Sequence, residues 1–431
     1  MIFREKPRKL LPLSREEQEG EGNRVAESSF ASRLTRMLGA PRPEVGPRRE
    51  REPHGLPEGT FVAPGVLEIL FSHPLGSPHG AVPLEHPDAG GEALAPWGGA
   101  RNQTFLDLET TGLAGGTGTY AFLAGVGRVE GTCFVVRQLF LLSPAAEEAW
   151  FRALEERVGE GCFVTYNGRA FDLPLLRTRA VMTGRPPLRE CRHLDLLPLA
   201  RRLWREDLPG CALGEVERGV VGFRRPGEDV PGALIPELYA TFLRTGDAAP
   251  LRGVFLHNRW DILSLAAAQE CAARVVSGSG GSPGERVRAG ALWAQQGRGD
   301  RAELFWRSVW RSEAPEEDGA GRSRRWMREA AFLLGMSAKR QARWEEAASC
   351  FQEAARGGGR LFEALTELAK VAEHHLRDED RALEATERGL ALLRELRPHM
   401  DRLEAAHRQQ DLLHRRDRLV RKKGKRASVL E

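Results

Sequence analysis

The spacing of apolar residues changes character more than once along this chain. From Thr104 to about residue 276, short apolar runs that predict strands give way to stretches with helical spacing. TFLDLET predicts a strand, YAFLAGVGRVEGTCFVVRQLFLL two more joined around Glu130 and Gly131, and PAAEEAWFRALEERV an amphipathic helix. CFVTYN predicts a fourth strand. Helices follow from Asp172, over HLDLLPLARRLW, over CALGEVERGV and over VFLHNRWDILSLAAAQECAARVV. Three consecutive strands able to pair as a meander, then strands alternating with helices, imply an α/β domain with a mixed sheet and flanking helices.

The flanks follow other patterns. Residues 1–60 are charged and proline-rich, and are expected to be disordered apart from a short helix at SSFASRLTRML. FVAPGVLEILFSHPLGSPHGAVPL then reads as an extended lead-in packed on the α/β domain, which therefore runs over 61–276. Residues 277–286, mostly serine and glycine, read as a flexible linker. From 287 to 397 the spacing is helical throughout, and small residues recur 34 positions apart: Gly335 and Ala369, Ala348 and Ala382, Ala355 and Gly389. That period marks tetratricopeptide-type helical hairpins, with a looser first copy in AGALWAQQGRGDRAELFWRSVW; a plain helical bundle is the simpler alternative. Residues 398–431, with RRDRLVRKKGKRA, read as a basic tail.

Composition narrows the class. A chain of 431 residues has room for two domains. No apolar stretch approaches the roughly 20 residues needed to span a bilayer, and MIFREKPRKLLPLSREEQEGEG lacks the apolar centre of a secretion signal. A cytoplasmic protein without membrane contact is expected. The six cysteines form no C-x-x-C pair, which argues against a zinc knuckle or a disulfide framework. Net charge is only +4, but 57 of the 64 basic residues are arginine, whose planar fork suits phosphate. A GC-rich genome produces the same bias.

The candidate chemistry begins in TFLDLETTGLAGG, where Asp107 and Glu109 share one face of a strand. Two carboxylates so placed repel unless a cation lies between them, and Mg²⁺ or Mn²⁺ suits carboxylate, water and phosphate oxygens. In YNGRAFD, Asn167 closes the fourth strand and Asp172 opens the next helix; in HNRWD, His257 and Asp261 lie one turn apart. Four acids and a histidine are the inventory of two-metal phosphodiester hydrolysis, with ions roughly 3.5–4 Å apart. In that scheme Asp107 bridges both ions, Glu109 and Asp261 complete the nucleophile side, Asp172 holds the other ion, and His257 is the general base.

Each residue also has a plainer reading. Asp107 and Glu109 could form an exposed stripe, Asp172 could cap a helix, His257 could be structural, and Asp261 an ordinary helix acid. Asp195 in HLDLLPLARR is ambiguous and is left outside the set, because helix capping explains it equally well. AGGTGTYAFLAGVG lacks the G-K-[ST] of a phosphate loop, so its glycines are read as permitting a tight turn and close approach of a nucleic-acid strand.

FLDLETTGL, YNGRAFD and HNRWD, in that order, resemble the three motifs of the DEDD superfamily of 3′–5′ exonucleases. DLETTGLAGGTGTYAFLAGVGR, QLFLLSPAAEEA, YNGRAFDLPLL and HLDLLPLARRLW further resemble the YprB-like ribonuclease H-like proteins, which commonly carry tetratricopeptide repeats after the nuclease domain. The resemblance covers about residues 60–276. It implies an α/β ribonuclease H-like domain followed by an all-α repeat domain, and two Mg²⁺ or Mn²⁺ ions on Asp107, Glu109, Asp172 and Asp261. His257 stands four residues before Asp261, where the histidine subclass uses five and the tyrosine subclass four, so its role as base is the open part of the assignment.

The expected function is 3′–5′ exonuclease action on single-stranded DNA or RNA. Thr110, Gly112, Asn167 and Arg169 would contact the strand, Arg177 and Arg201 are further candidates for phosphate, and the repeats would bind a protein partner or guide substrate. The rival readings are an idle ribonuclease H-like clamp that binds nucleic acid, and an endonuclease on the same fold.

Overall fold

Alternating apolar residues such as Leu106 and Leu108, opposite Phe105, give the central strand two faces to bury, and a sheet covered on both sides results. The computed structural model describes residues 52–112, 118–189, 192–227, 229–312 and 322–430. Residues 1–51, including the helix expected at SSFASRLTRML, and residues 113–117 of the glycine-rich loop lie outside them. Pro53–Glu431 form one compact unit.

Seven strands make the sheet: β1 (Thr60–Ala63), β2 (Val66–Pro74), β3 (Gln103–Thr110), β4 (Ala121–Glu130), β5 (Cys133–Leu141), β6 (Cys162–Thr165) and β7 (Arg192–Asp195). Their order is β1-β2-β5-β4-β3-β6-β7. Pairs on the β1 side are antiparallel, whereas β3–β6 and β6–β7 are parallel. The sense changes at β3, so a crevice opens at its carboxyl end, the usual ligand position in open α/β sheets.

Two helices of the lower layer, α2 (Glu147–Val158) and α3 (Asp172–Met182), follow α1 (Pro87–Ala93) in the chain. They cover the Leu106 face together with α5 (Ile235–Thr245), which comes after α4 (Leu196–Trp204). Buried donors there are satisfied: Trp150 Nε1 donates to Leu139 O at 2.8 Å, and Tyr239 Oη to Leu141 O at 2.8 Å. The opposite face, with Phe105, Val164 and Leu194, packs on α4 and on the long α6 (Arg252–Ser277).

In three places the order differs from the sequence expectation. The lead-in is part of the sheet: β2 pairs with β5 from Val66–Leu141 to Pro74–Cys133, extending it beyond the meander. His-Leu-Asp of HLDLLPLARRLW is strand, with helix starting only after Asp195, whose carboxylate accepts the Leu197 N–H at 3.1 Å. The expected linker is shorter and structured. Helix α6 runs to Ser277, and α7 (Pro283–Gln295) starts with a capping box in which Ser282 and Glu285 bond each other's backbone N–H.

Helices continue as α8 (Gly299–Trp310), α9 (Arg322–Arg340), α10 (Trp344–Ala354), α11 (Leu361–Val371), α12 (Glu379–Leu396) and α13 (Arg402–Leu430). Gly335 and Ala369 fall at matching places in the hairpins α9–α10 and α11–α12. A Cβ on Gly335 would stand 2.7 Å from the Phe351 ring, so the small residue permits the close crossing of α9 and α10. The segment read as a tail is largely helix α13, anchored by buried Leu412 and Leu419, and its Arg415 and Arg418 bond the buried Glu373. The all-helical region shares its core with the sheet face under α6: Trp204 Nε1 donates to Glu285 Oε1 at 2.6 Å, and Trp293 Nε1 to Val276 O at 2.9 Å.

Candidate active site

Strand β3 carries Asp107 and Glu109 to its carboxyl end, on the face turned toward α6. Helix α6 comes close because β4 is glycine-lined opposite it. A Cβ on Gly125 would lie 2.4 Å from Asn258 Oδ1 and 2.8 Å from Ile262 Cγ1. Asn258, fully buried, donates from Nδ2 to Asp107 Oδ2 at 2.9 Å and accepts from Gln138 Nε2 at 3.0 Å. One turn of α6 holds His257 and Asp261, with Nε2 and Oδ2 3.3 Å apart. Glu109, His257 and Asp261 offer donor atoms that all lie within 4.8 Å of one another.

Asp172 enters from the other side. The β3–β6 ladder stops at Phe105–Val164, and Asp172 opens α3 with its carboxyl near the backbone of Leu108, beyond the end of that ladder. The loop that delivers Asp172 is held by Asp195 at the end of β7. Its Oδ1 accepts the Asn167 N–H at 2.8 Å and its Oδ2 the Arg169 N–H at 3.2 Å. Asn167 sits at φ 67°, a left-handed conformation that asparagine tolerates.

Electrostatics express the crowding. Burial, then the charges of Asp261, Glu109 and Asp172, push the Asp107 carboxyl well above the usual range, against the bond from Asn258. Glu109 is pushed up to about 8, chiefly by burial, with Asp261 and Asp172 adding to it and His257 opposing. Asp172 rises to about 7 through burial, moderated by its backbone bonds. His257 moves oppositely: burial disfavours its charge, but the bond and charge of Asp261, with Glu109 and Asp229, outweigh it and raise the ring to about 9. Its Nδ1 then donates to Asp229 Oδ1 at 2.8 Å.

A cationic hub adjoins this cluster. Arg225 donates from Nε to Glu217 Oε2 at 2.9 Å, from Nη1 to Asp229 Oδ2 at 2.9 Å, and from Nη2 both to Glu217 Oε1 at 2.7 Å and to Asp261 Oδ1. Glu217 also accepts from Ser264 Oγ at 2.6 Å, and His79 Nε2 bonds that hydroxyl at 2.8 Å.

Charge counting tests whether divalent ions fit. Asp107, Glu109, Asp172, Asp261, Glu217 and Asp229 are six carboxylates, against two cations, Arg225 and His257. Fully ionised, they leave a net charge of −4, which two divalent cations would balance. All-oxygen donors with one imidazole also suit Mg²⁺ or Mn²⁺. The donor set therefore fits the ions.

All five residues expected for catalysis thus meet around the end of β3. Of those expected to contact a strand, Thr110 Oγ1 donates to Gly112 O at 2.9 Å at the same end, and Asn167 and Arg169 form the loop before Asp172, with Arg169 exposed. Gly112 has space beside it: a Cβ there would first meet Thr119 Oγ1 at 3.6 Å. Arg177 and Arg201 are exposed on α3 and α4. Sequence reasoning missed Arg225, Glu217, Asp229 and Asn258, and left Asp195 aside. Asn258 had a signal, as a polar residue amid apolar helix positions; the others lie in segments whose partners depend on tertiary folding.

Residues 104–271 match the family model of the RNase H superfamily, a class consistent with this sheet and its acidic crevice. Ribonuclease H-like folds generally use divalent metal ions and act as nucleases on nucleic acid. The uncharacterized protein YprB of Bacillus subtilis (strain 168) is 33% identical over 302 residues, covering 67% of this chain and 69% of that protein. The chain belongs to the YprB family of RNase H superfamily proteins. Among the described residues no helix is long and apolar enough to cross a membrane.

Proposed function

We propose that this protein is a metal-dependent nuclease of the DEDD type, acting 3′ to 5′ on single-stranded DNA or RNA. The observation that carries the reading is the convergence of Asp107, Glu109, Asp172 and Asp261 from one strand and two helices on one crevice, with Asp107 and Glu109 pushed up by burial and then by neighbouring carboxylates, and Asp172 by burial. Asp107 would hold both ions, Glu109 and Asp261 the nucleophile side and Asp172 the other. When bound, the two cations supply Lewis acidity for water and for the leaving oxygen.

His257 is assigned the proton of the attacking water. Its present bonds keep it charged, and neutralising Asp261 and Glu109 removes the cause, returning the ring toward the range of a base. Asn258 fixes the Asp107 carboxylate, and Asp195 fixes the loop that aims Asp172. The 34-residue period and the α9–α12 hairpins support tetratricopeptide-type repeats that engage a protein partner or guide substrate. Among the described residues, Cys133, Cys211, Cys271 and Cys350 are in no disulfide, which supports a reducing, cytoplasmic setting.

One contact favours a second reading. Arg225 occupies Asp261 Oδ1, an oxygen that a cation would otherwise use, as in an idle domain. Incubating 3′- and 5′-labelled DNA and RNA strands with Mn²⁺ or Mg²⁺, beside Asp107→Ala, separates the two. Stepwise loss of the 3′ end that vanishes in the variant supports the nuclease. Internal cuts without end shortening indicate the endonuclease, and intact strands throughout the idle clamp.

A further inference from the structure

Strand β2 is covered on its outer side for only part of its length. Its ladder with β1 ends at Thr60–Glu68, although β2 runs on to Pro74. The direction of the remaining backbone groups follows from the ladder with β5. Leu142 N–H bonds Gly65 O and Leu75 N–H bonds Thr132 O, both at 2.9 Å, so the odd-numbered residues between them bond β5. The even-numbered ones point the other way. Val66 and Glu68 meet β1 there, but the N–H and C=O of Leu70 and Ser72 have no backbone partner among the described residues. Both residues are exposed, Leu70 by 55%. The run Ile69–His73 contains no proline or lysine to blunt the edge.

Beside this edge, on the sheet face turned toward α6, lies a cavity of about 460 Å³. Ile69 and Phe71 of β2 and Leu256 of α6 make it apolar, and Arg252 and Arg259 of α6 line it as well. Among the described residues neither arginine has a carboxylate partner; Glu58 also lines the cavity but bonds neither. Arg259 lies over Phe71, its guanidinium carbon 4.4 Å from the ring centre, and its Nε is buried without an acceptor. Burial lowers the Arg259 pKa and no neighbouring acid opposes it.

We propose that this edge takes up an extended acidic peptide of a partner protein as an eighth strand, bonded to Leu70 and Ser72, with its carboxylates facing Arg252 and Arg259. Only another polypeptide supplies the alternating N–H and C=O groups that the two residues lack; a nucleic-acid backbone has no such donors. A second copy of this chain would bring its own Arg252 and Arg259 to the same face, like charge against like. In an added strand the residues beside Ile69 and Phe71 share their face, so acids two positions apart meet the arginines. The site is separate from the acidic crevice. Ile69, Gln138, Gly125 and Asp107 form one row across the sheet, which puts the edge three strands from Asp107, about 14 Å. The inference stands whether or not the crevice cleaves nucleic acid.

The test titrates a fluorescein-labelled hexapeptide of alternating valine and glutamate into the full chain by anisotropy, beside one of alternating valine and lysine. Saturable binding of the glutamate peptide alone is expected. Ser72→Pro removes one outward N–H at a place where edge strands accept proline, and Arg252→Glu reverses an exposed charge; melting curves check that both fold. Each should weaken binding about tenfold, the loss of one ladder bond or one charge pair. Amide hydrogen exchange gives a second readout: Leu70 and Ser72 should exchange fast in the free chain and slowly with the glutamate peptide bound. No saturable binding, equal binding of the lysine peptide, or unchanged binding in either folded variant overturns the proposal. Protection of both amides in the free chain overturns it too, because the edge is then already covered. A single-stranded DNA 12-mer that displaces the peptide and itself depends on Arg252 would make this a nucleic-acid groove and overturn it likewise.

Discussion

Arg225 places its guanidinium between Asp261, whose Oδ1 accepts from Nη2, and the buried Glu217, which accepts two of its bonds at 2.7 and 2.9 Å. One cation thereby ties the acid of α6 to a carboxylate with almost no solvent contact, 2% exposed. Removing one partner of such a pair strands the other, which costs more than the pair itself contributes.

Arg225→Met should therefore destabilise the protein by about 3–5 kcal/mol in urea unfolding. The double variant Arg225→Met with Glu217→Gln should lose clearly less than the sum of the two singles. Additive losses would mean that the two side chains do not act as a pair.

Gly125 is required by the approach of α6. Gly125→Ala forces Asn258 and Ile262 away and should cost about 1–3 kcal/mol, together with cleavage, because Asn258 holds Asp107. Gly232→Ala, where no atom lies within 4 Å of the added carbon, is the control and should be close to neutral.

Asp195 makes a different kind of contribution, since its carboxylate accepts three backbone N–H groups, from Asn167, Arg169 and Leu197. Asp195→Ala leaves these donors without their acceptor and should lower stability by about 1–3 kcal/mol. Cleavage should fall further than stability explains, and Asp195→Asn, which keeps an acceptor oxygen, should recover part of it.

Acid sensitivity should trace to His79. Burial, with the charges of His73 and Arg225, pushes its pKa from 6.5 to about 4. The unfolded chain gains this proton below about pH 6.5 while the folded chain resists until about 4, so the stabilisation is complete above 6.5 and lost between the two values. From pH 7 to 4.5 the wild type should lose roughly 2–3 kcal/mol more than His79→Gln, read from urea midpoints.

The acids and their approximate places were legible in the sequence. Alternation put Asp107 and Glu109 on one face, and one helical turn joined His257 to Asp261. Strand β7 was not legible, because four residues running straight into a helix give no period of their own; Asp195 ends the strand by capping that helix. The β1–β2 pair was read as lead-in because its partner, β5, lies about 70 residues further on, and local pattern carries no information on pairing. Arg225 lies in a segment without periodicity, and only folding brings it to Asp261.

Whether these carboxylates form a two-cation site is tested by titrating Mn²⁺ into the metal-free protein and counting bound ions by calorimetry or electron spin resonance. Two ions per chain in the wild type, with marked loss in Asp107→Ala and a raised melting temperature only where ions bind, is the predicted result. Absence of Mn²⁺ binding in the wild type, or binding unchanged by Asp107→Ala, would contradict it.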